Sequence, residues 1–76
     1  MTVSEWIEQF ASMAGIARPS DEEIGKLLDL AGAAAHASAR IAAPITCWLA
    51  GRAGLEIDVA LAYASAVAAM GHEASK

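Results

Sequence analysis

Ala35-His36-Ala37-Ser38-Ala39-Arg40-Ile41-Ala42-Ala43-Pro44-Ile45-Thr46, with Gly51 shortly after it, joins two stretches of helical periodicity. His36 and Arg40 are four residues apart, one turn of a helix that runs into an Ala-Pro break. Pro44 has a fixed φ and lacks an amide N–H, which suits the first position of a new helix. The stretch therefore predicts a corner: a long helix ending near Arg40, then a short, mostly buried helix from Pro44 to Arg52, stopped at Gly51 or Gly54. Polar groups presented beside a tight corner make His36 and Arg40 the first candidates for function.

Upstream of the corner the helix starts are well marked. Thr2 and Glu5 have the spacing of a capping box, in which hydroxyl and carboxylate satisfy free amides at a helix start. Trp6, Ile7, Phe10, Met13 and Ala14 then share one face, with Ser4, Glu5, Glu8, Gln9 and Ser12 on the other, and Gly15 or the Arg18-Pro19 pair ends the helix. Ser20 and Glu23 repeat the box, with Asp21 and Glu22 in the first turn where the helix dipole favours negative charge. The second helix is expected from Asp21 to near Arg40, with Ile24, Leu27, Leu28, Ala31, Ala35 and Ser38 as its core stripe. A neighbouring stripe of Asp29, Gly32, Ala33, His36 and Arg40 separates polar residues by small ones that let another backbone come close.

Downstream, a fourth helix is expected from Glu56 to Gly71. Ile57, Leu61, Ala64 and Ala68 lie on one side, with Val59, Tyr63, Val67 and Met70 on another, so the helix is either central or shared with a partner. Ala60, Ala64 and Ala68 form a ridge of methyl groups at four-residue spacing, suited to intramolecular packing or to a seam between copies. With no repeat and no second composition block, residues 1–76 read as one domain, all-α, a compact four-helix unit with a short third helix after the Ala-Pro corner. Trp6, Phe10, Leu28, Pro44, Trp48 and Gly51 are its expected structural residues, the aromatic ones as core anchors.

Composition narrows the function classes. The chain has 76 residues, 57% hydrophobic but only 5% aromatic, because so much of the apolar content is alanine. A core of that size supplies about 3–5 kcal/mol, and domains this small lean on disulfides, metals or partners. A single cysteine, Cys47, excludes an internal disulfide and fits a reducing, cytoplasmic setting. Nine acidic and five basic side chains give a net charge of −4 with no basic cluster, which argues against nucleic acid. The N-terminus has no basic n-region, so no signal peptide is expected, and the apolar run from Ile41 to Ala50 is too short and too proline-interrupted to span a membrane.

Candidate chemistry is sparse. His36, His72 and Cys47 lack the paired spacings of zinc sites, so no metal or cofactor is expected. Cys47, between Thr46 and Trp48, reads as an inert packed thiol, and Gly51-Arg52-Ala53-Gly54 lacks the lysine and strand context of a phosphate loop. His36 beside Arg40 reads either as an imidazole bonding a carbonyl near the corner or as a second donor beside the guanidinium fork, gripping a phosphate or a partner carboxylate. Asp29 is expected solvated or paired with Lys26, and Thr46 capping or back-bonding within the third helix.

Leu27-Leu28-Asp29-Leu30-Ala31, Ala35-His36, Arg40, Ala42-Ala43-Pro44-Ile45-Thr46 and Leu49-Ala50-Gly51, after a helix bearing Trp6, resemble the pattern of a small actinobacterial helical domain of uncharacterised function. That domain occurs alone or fused to molybdenum cofactor guanylyltransferase. The resemblance covers most of the chain up to Gly54 and carries over Asp29, His36, Arg40, Pro44, Thr46 and Gly51. The family usually has charged residues where this chain has Gly32 and Ala33. It implies a setting: a non-catalytic interaction module or small accessory subunit in molybdenum cofactor biosynthesis or of a molybdoenzyme such as a formate dehydrogenase. In that reading Gly32, Ala33, Ala60, Ala64 and Ala68 meet a larger protein, with His36, Arg40, Asp29 and Thr46 at the rim. The alternatives are a binder of a molybdopterin or guanine nucleotide phosphate at the His36/Arg40 corner, and a self-associating, homodimeric structural domain.

Overall fold

Two reciprocal hydrogen-bond pairs set the helix starts. In the computed structural model, which describes the backbone of residues 1–74 and the side chains of residues 1–71, the Thr2 N–H donates to Glu5 Oε1 at 2.7 Å and the Glu5 N–H to Thr2 Oγ1 at 3.0 Å. At the second start the Ser20 N–H donates to Glu23 Oε1 at 2.8 Å and the Glu23 N–H to Ser20 Oγ at 3.1 Å. Both boxes thus form where the sequence predicts them, each satisfying amides that a helix leaves unpaired. They open α1 (Val3–Ala14) and α2 (Asp21–Ala37). After them come α3 (Ala42–Arg52) and α4 (Ile57–Ala74), which makes the described chain all-α with four helices.

Two helices stop by the same device. Gly15 and Gly54 adopt φ of 73° and 68°, a left-handed conformation that a Cβ would strain. Around Gly15 the Ile16 N–H reaches Ala11 O at 3.0 Å and the Gly15 N–H reaches Ser12 O at 3.1 Å. Around Gly54 the Leu55 N–H reaches Ala50 O at 3.0 Å and the Gly54 N–H reaches Gly51 O at 3.1 Å. Each pair satisfies terminal carbonyls in a Schellman motif. Gly54 is therefore the glycine that ends α3, and Gly51 lies inside that helix with open space where a Cβ would project.

The corner differs from its sequence reading. α2 ends at Ala37, three residues before Arg40, because Ser38 leaves helical geometry at φ −135° and ψ −93°. Tight turns follow at once: the Ala42 N–H bonds Ala39 O at 2.9 Å and the Ala43 N–H bonds Arg40 O at 3.2 Å. α3 is thereby nucleated at Ala42, and Pro44 occupies its third position rather than its first. That is tolerated because amides of the first turn have no intrahelical acceptor. α4 begins at Ile57 and runs to Ala74, three residues beyond the expected Gly71.

α2 is the hub, packing against both α3 and α4. Leu30 is completely buried, and Ala34 and Ala60 join it in the centre. Leu30 replaces Leu28 as the main core leucine of α2; Leu28 faces outward and is 67% exposed. Two packing partners, not one, explain the rotation: the Leu30–Ala34 line must face the angle between α3 and α4. On α4 the expected side holds, with Ile57, Leu61, Ala64 and Ala68 half-buried around Ala60. One cross-link outside the core ties α2 to α4, where the Lys26 Nζ donates to Asp58 Oδ2 at 3.2 Å and lies 3.9 Å from Glu22 Oε1. The Asp58 carboxylate raises the Lys26 ammonium above its ordinary pKa.

α1 stands apart from that unit. Only Ala11 of this helix is buried and only Ile7 half-buried, so one edge of its apolar face touches the rest. The connector is fastened back by Arg18, whose guanidinium donates to Ser4 Oγ at 3.0 Å and lies 3.6 Å from Asp21 Oδ1. The result is an elongated chain of 46 × 24 × 19 Å with a radius of gyration of 13.9 Å. A close-packed chain of this length would have a radius near ~11 Å.

Candidate functional site

The aromatic residues expected in the core are on the outside. Trp6 is 62% exposed, Phe10 66% and Trp48 59%. α3, expected mostly buried, has no buried residue at all. The cause is quantitative. The chain exposes 5946 Å², whereas a close-packed monomer of its mass exposes roughly 4,400 Å². About 1,500 Å² of extra surface is on view, and Trp6, Phe10, Met13, Ile41, Trp48 and Tyr63 are among the exposed large side chains.

That surface divides into three parts. The first is the open face of α1, where Trp6, Phe10 and Met13 recur at helical spacing without cover. The second is an open groove of about 630 Å³ floored by α2 and walled by α3 and α4. Ala33, Ala34 and Ala37 come from α2, Ala42, Thr46, Leu49 and Ala50 from α3, and Ala60, Tyr63, Ala64, Val67 and Ala68 from α4. Its lining is almost wholly apolar, with Ser38, Thr46 and Tyr63 supplying the side-chain oxygens. The third is the outer stripe of α3, formed by Ile41, Ile45 and Trp48, all exposed and none of them in the groove. Arg52 lies with its guanidinium carbon 5.1 Å from the Trp48 ring centroid, a cation–π contact that the Trp48/Arg52 spacing of four residues makes available.

The residues singled out from sequence are distributed unevenly over these parts. Ala33, Thr46, Ala60, Ala64 and Ala68 converge on the groove, so the alanine ridge of α4 is a groove wall as well as a core element. Thr46 makes no side-chain hydrogen bond among the described residues, and its half-buried hydroxyl faces the groove instead of capping α3. Gly32 is half-buried beside the groove floor, yet nothing lies within 4 Å of where its Cβ would be, so no backbone of this chain exploits it. His36 and Arg40 do not share a helix: His36 closes α2 and Arg40 sits in the turn that follows. Both are exposed, as is Asp29, and none of the three makes a side-chain hydrogen bond or ion pair among the described residues. Asp29 is exposed, in line with the solvated reading, and Lys26, the alternative partner, turns to Glu22 and Asp58.

Sequence reasoning missed the groove as a unit, since its walls come from three helices whose angles only the packing of Leu30 sets. It also missed the outer stripe of α3, although the Ile41, Ile45, Trp48 spacing was there to read. Among the described residues no cluster of three His, Cys, Asp or Glu is placed to hold a metal ion, and no helix is long and apolar enough to cross a membrane. Cys47 is free and half-buried. The side chain of His72 and residues 75–76 lie outside the described part of the chain.

Fold and site together define a small all-α domain with an open alanine-floored groove, a projecting amphipathic helix and a separate polar cleft where Glu22, Glu23, Glu56 and Asp58 gather around Lys26. The chain belongs to the family described as a domain of unknown function, DUF6457, whose model matches residues 1–76. No curated protein and no solved structure matches it.

Proposed function

We propose that this chain is a non-catalytic interaction module, a small accessory subunit that docks on a larger protein of the molybdenum cofactor or molybdoenzyme system. The observation that carries the reading is the unshielded apolar surface: a protein of 7.8 kDa exposing 5946 Å², with both tryptophans and its phenylalanine largely in solvent. Monomeric proteins rarely expose such surface unless it is an interaction site. The outer stripe of α3 fits a protein partner well. Ile41, Ile45 and Trp48 form an apolar line, and Arg40 and Arg52 flank it as the cationic rim that orients an acidic neighbour. The molybdenum setting rests on the resemblance of Leu27 to Gly51 to the domain fused to molybdenum cofactor guanylyltransferase.

Affinity capture of the tagged full-length chain, read by mass spectrometry, tests the proposal. The expected result is near-stoichiometric recovery of a molybdenum cofactor guanylyltransferase or a molybdoenzyme subunit. A Trp48→Glu, Arg40→Glu chain of unchanged helicity should lose it at least tenfold. Recovery of the chain alone, or of the same protein with both chains, would count against the assignment.

A further inference from the structure

Two of the three exposed apolar surfaces are complementary to each other. The open face of α1 presents large side chains, Trp6, Phe10 and Met13, on a rigid capped helix. The groove presents small ones, Ala33, Ala37 and Ala64 among them, over a volume of about 630 Å³. An amphipathic helix laying such anchors into an apolar groove is a recurrent mode of recognition. The charges agree as well. α1 carries Glu5 and Glu8 and no basic residue in its helix, while Arg40, two residues before Ala42, and Arg52, next to Ala53, sit at the ends of the α3 wall without lining the groove itself.

α1 does not occupy the groove of its own chain; no residue of it lines the cavity. The Schellman turn at Gly15 and the capping box at Ser20 fix both ends of the connector, and Arg18 is tied to Ser4 and Asp21. Only residues 17–19 remain between those anchors, a reach of about 10 Å. The groove floor begins at Ala33, twelve residues and so about 18 Å beyond the start of α2. The connector is thus pinned at both ends with α1 clear of its own groove.

We propose that the groove receives α1 of a second copy of this chain, giving a reciprocal homodimer in which each protomer lends its first helix to the other. The area fits this occupant. Obligate homodimers bury upwards of ~2,000 Å² in total. Two chains each expose about 1,500 Å² more than a close-packed monomer, and the α1 faces and the grooves are two parts of that surplus. The inference rests on the interaction-module reading and adds its first partner, leaving the apolar line of Ile41, Ile45 and Trp48 outside the groove for the larger protein.

Sedimentation equilibrium of the full chain tests it, together with two variants at positions already exposed in the protomer, Phe10→Asp in α1 and Val67→Glu in the groove wall. The intact chain should sediment at twice its 7.8 kDa mass. Each variant alone should fall to the single mass with helicity kept, as judged by circular dichroism. Mixing the two variants should restore a doubled mass, because the intact α1 of the Val67→Glu chain can enter the intact groove of the Phe10→Asp chain. A monomeric parent chain overturns the proposal. So does a variant that stays dimeric, which places the interface elsewhere, or a mixture that stays monomeric, which points to α1 closing on its own groove. Molybdenum-system capture by a monomeric parent would sink this inference alone, and a reciprocal dimer that captures nothing would sink only the docking assignment.

Discussion

α1 and the unit formed by α2–α4 begin alike and end up differently. Both α1 and α2 open on a reciprocal capping box, and α1 and α3 close on a left-handed glycine. α1 has the cleaner separation of apolar and polar faces. Yet α2 surrounds Leu30 with two neighbours, and α1 leaves Trp6 and Phe10 in solvent. Local signals specify where a helix is; they do not specify what covers it. For α1 the cover is not within the described chain, and that absence separates the packed part of the molecule from the part whose apolar face stays open.

The sharpest way to break the comparison is a pair of truncations. Leu30→Ala removes the one large side chain with no exposure among the described residues and opens a cavity in the angle between α3 and α4. The expected cost is about 2–5 kcal/mol, comparable to the ~3–5 kcal/mol that a core of this size provides. Thermal or urea unfolding should show a chain that is largely unfolded at room temperature. Phe10→Ala removes a bigger side chain, but one already 66% exposed. In dilute solution, below any self-association, it should change unfolding by no more than about 0.5 kcal/mol. Equal losses from the two changes would mean that α1 is part of the same core.

Next in size is the pair of left-handed glycines. A Cβ at Gly15 or Gly54 would meet nothing within 4 Å, so the strain is confined to the backbone. Alanine at either position should cost about 1–2 kcal/mol. The readout should differ between the two. Gly54→Ala strains the α3–α4 corner and should lower the cooperative unfolding midpoint. Gly15→Ala loosens the exit of a helix with little tertiary support, so it should lower amide protection in α1 and leave that midpoint nearly unchanged. A matching fall in the midpoint for both would erase the distinction between the two regions.

Legibility in the sequence follows the same division. Thr2, Glu5, Ser20 and Glu23 announced both helix starts because capping is a matter of three or four consecutive residues. Gly54 was within reach for the same reason. What failed was whatever depended on another helix. Leu28 and Leu30 are equally apolar, and only the two-sided packing of α2 decides that Leu30 goes in. Trp6, Phe10 and Trp48 were read as core anchors because large aromatic residues usually are, but four short alanine-rich helices do not enclose enough volume for them. The helical turn expected between His36 and Arg40 is not made because one residue, Ser38, leaves the helix. The alanine ridge of α4 was legible as a surface needing close cover, and the groove it walls is where that cover is missing.

The smallest expected effect is a pH dependence. Hydrogen bonds from the Thr2 backbone and hydroxyl hold the Glu5 carboxyl below its ordinary pKa, and those of Ser20 do the same for Glu23. A carboxyl lowered on folding contributes stability that is fully present above its unfolded pKa and lost as the pH falls through its folded pKa. Both caps should therefore weaken as the solution is made acidic through and below the carboxylate range. The consequences should diverge, because the start of α2 continues into a packed helix and α1 has only its Ile7–Ala11 edge. Amide exchange across that range should show the first turn of α1 opening before that of α2. Glu5→Gln keeps an oxygen acceptor without an ionisable group, so it should flatten the pH response of α1 while leaving that of α2 in place. Were α1 protected equally at both ends of the range, a contact stronger than its cap would be holding it, as a second copy of the groove would supply at high concentration. Repeating the measurement at low and high protein concentration separates the two explanations, since a cap is indifferent to dilution and a partner helix is not.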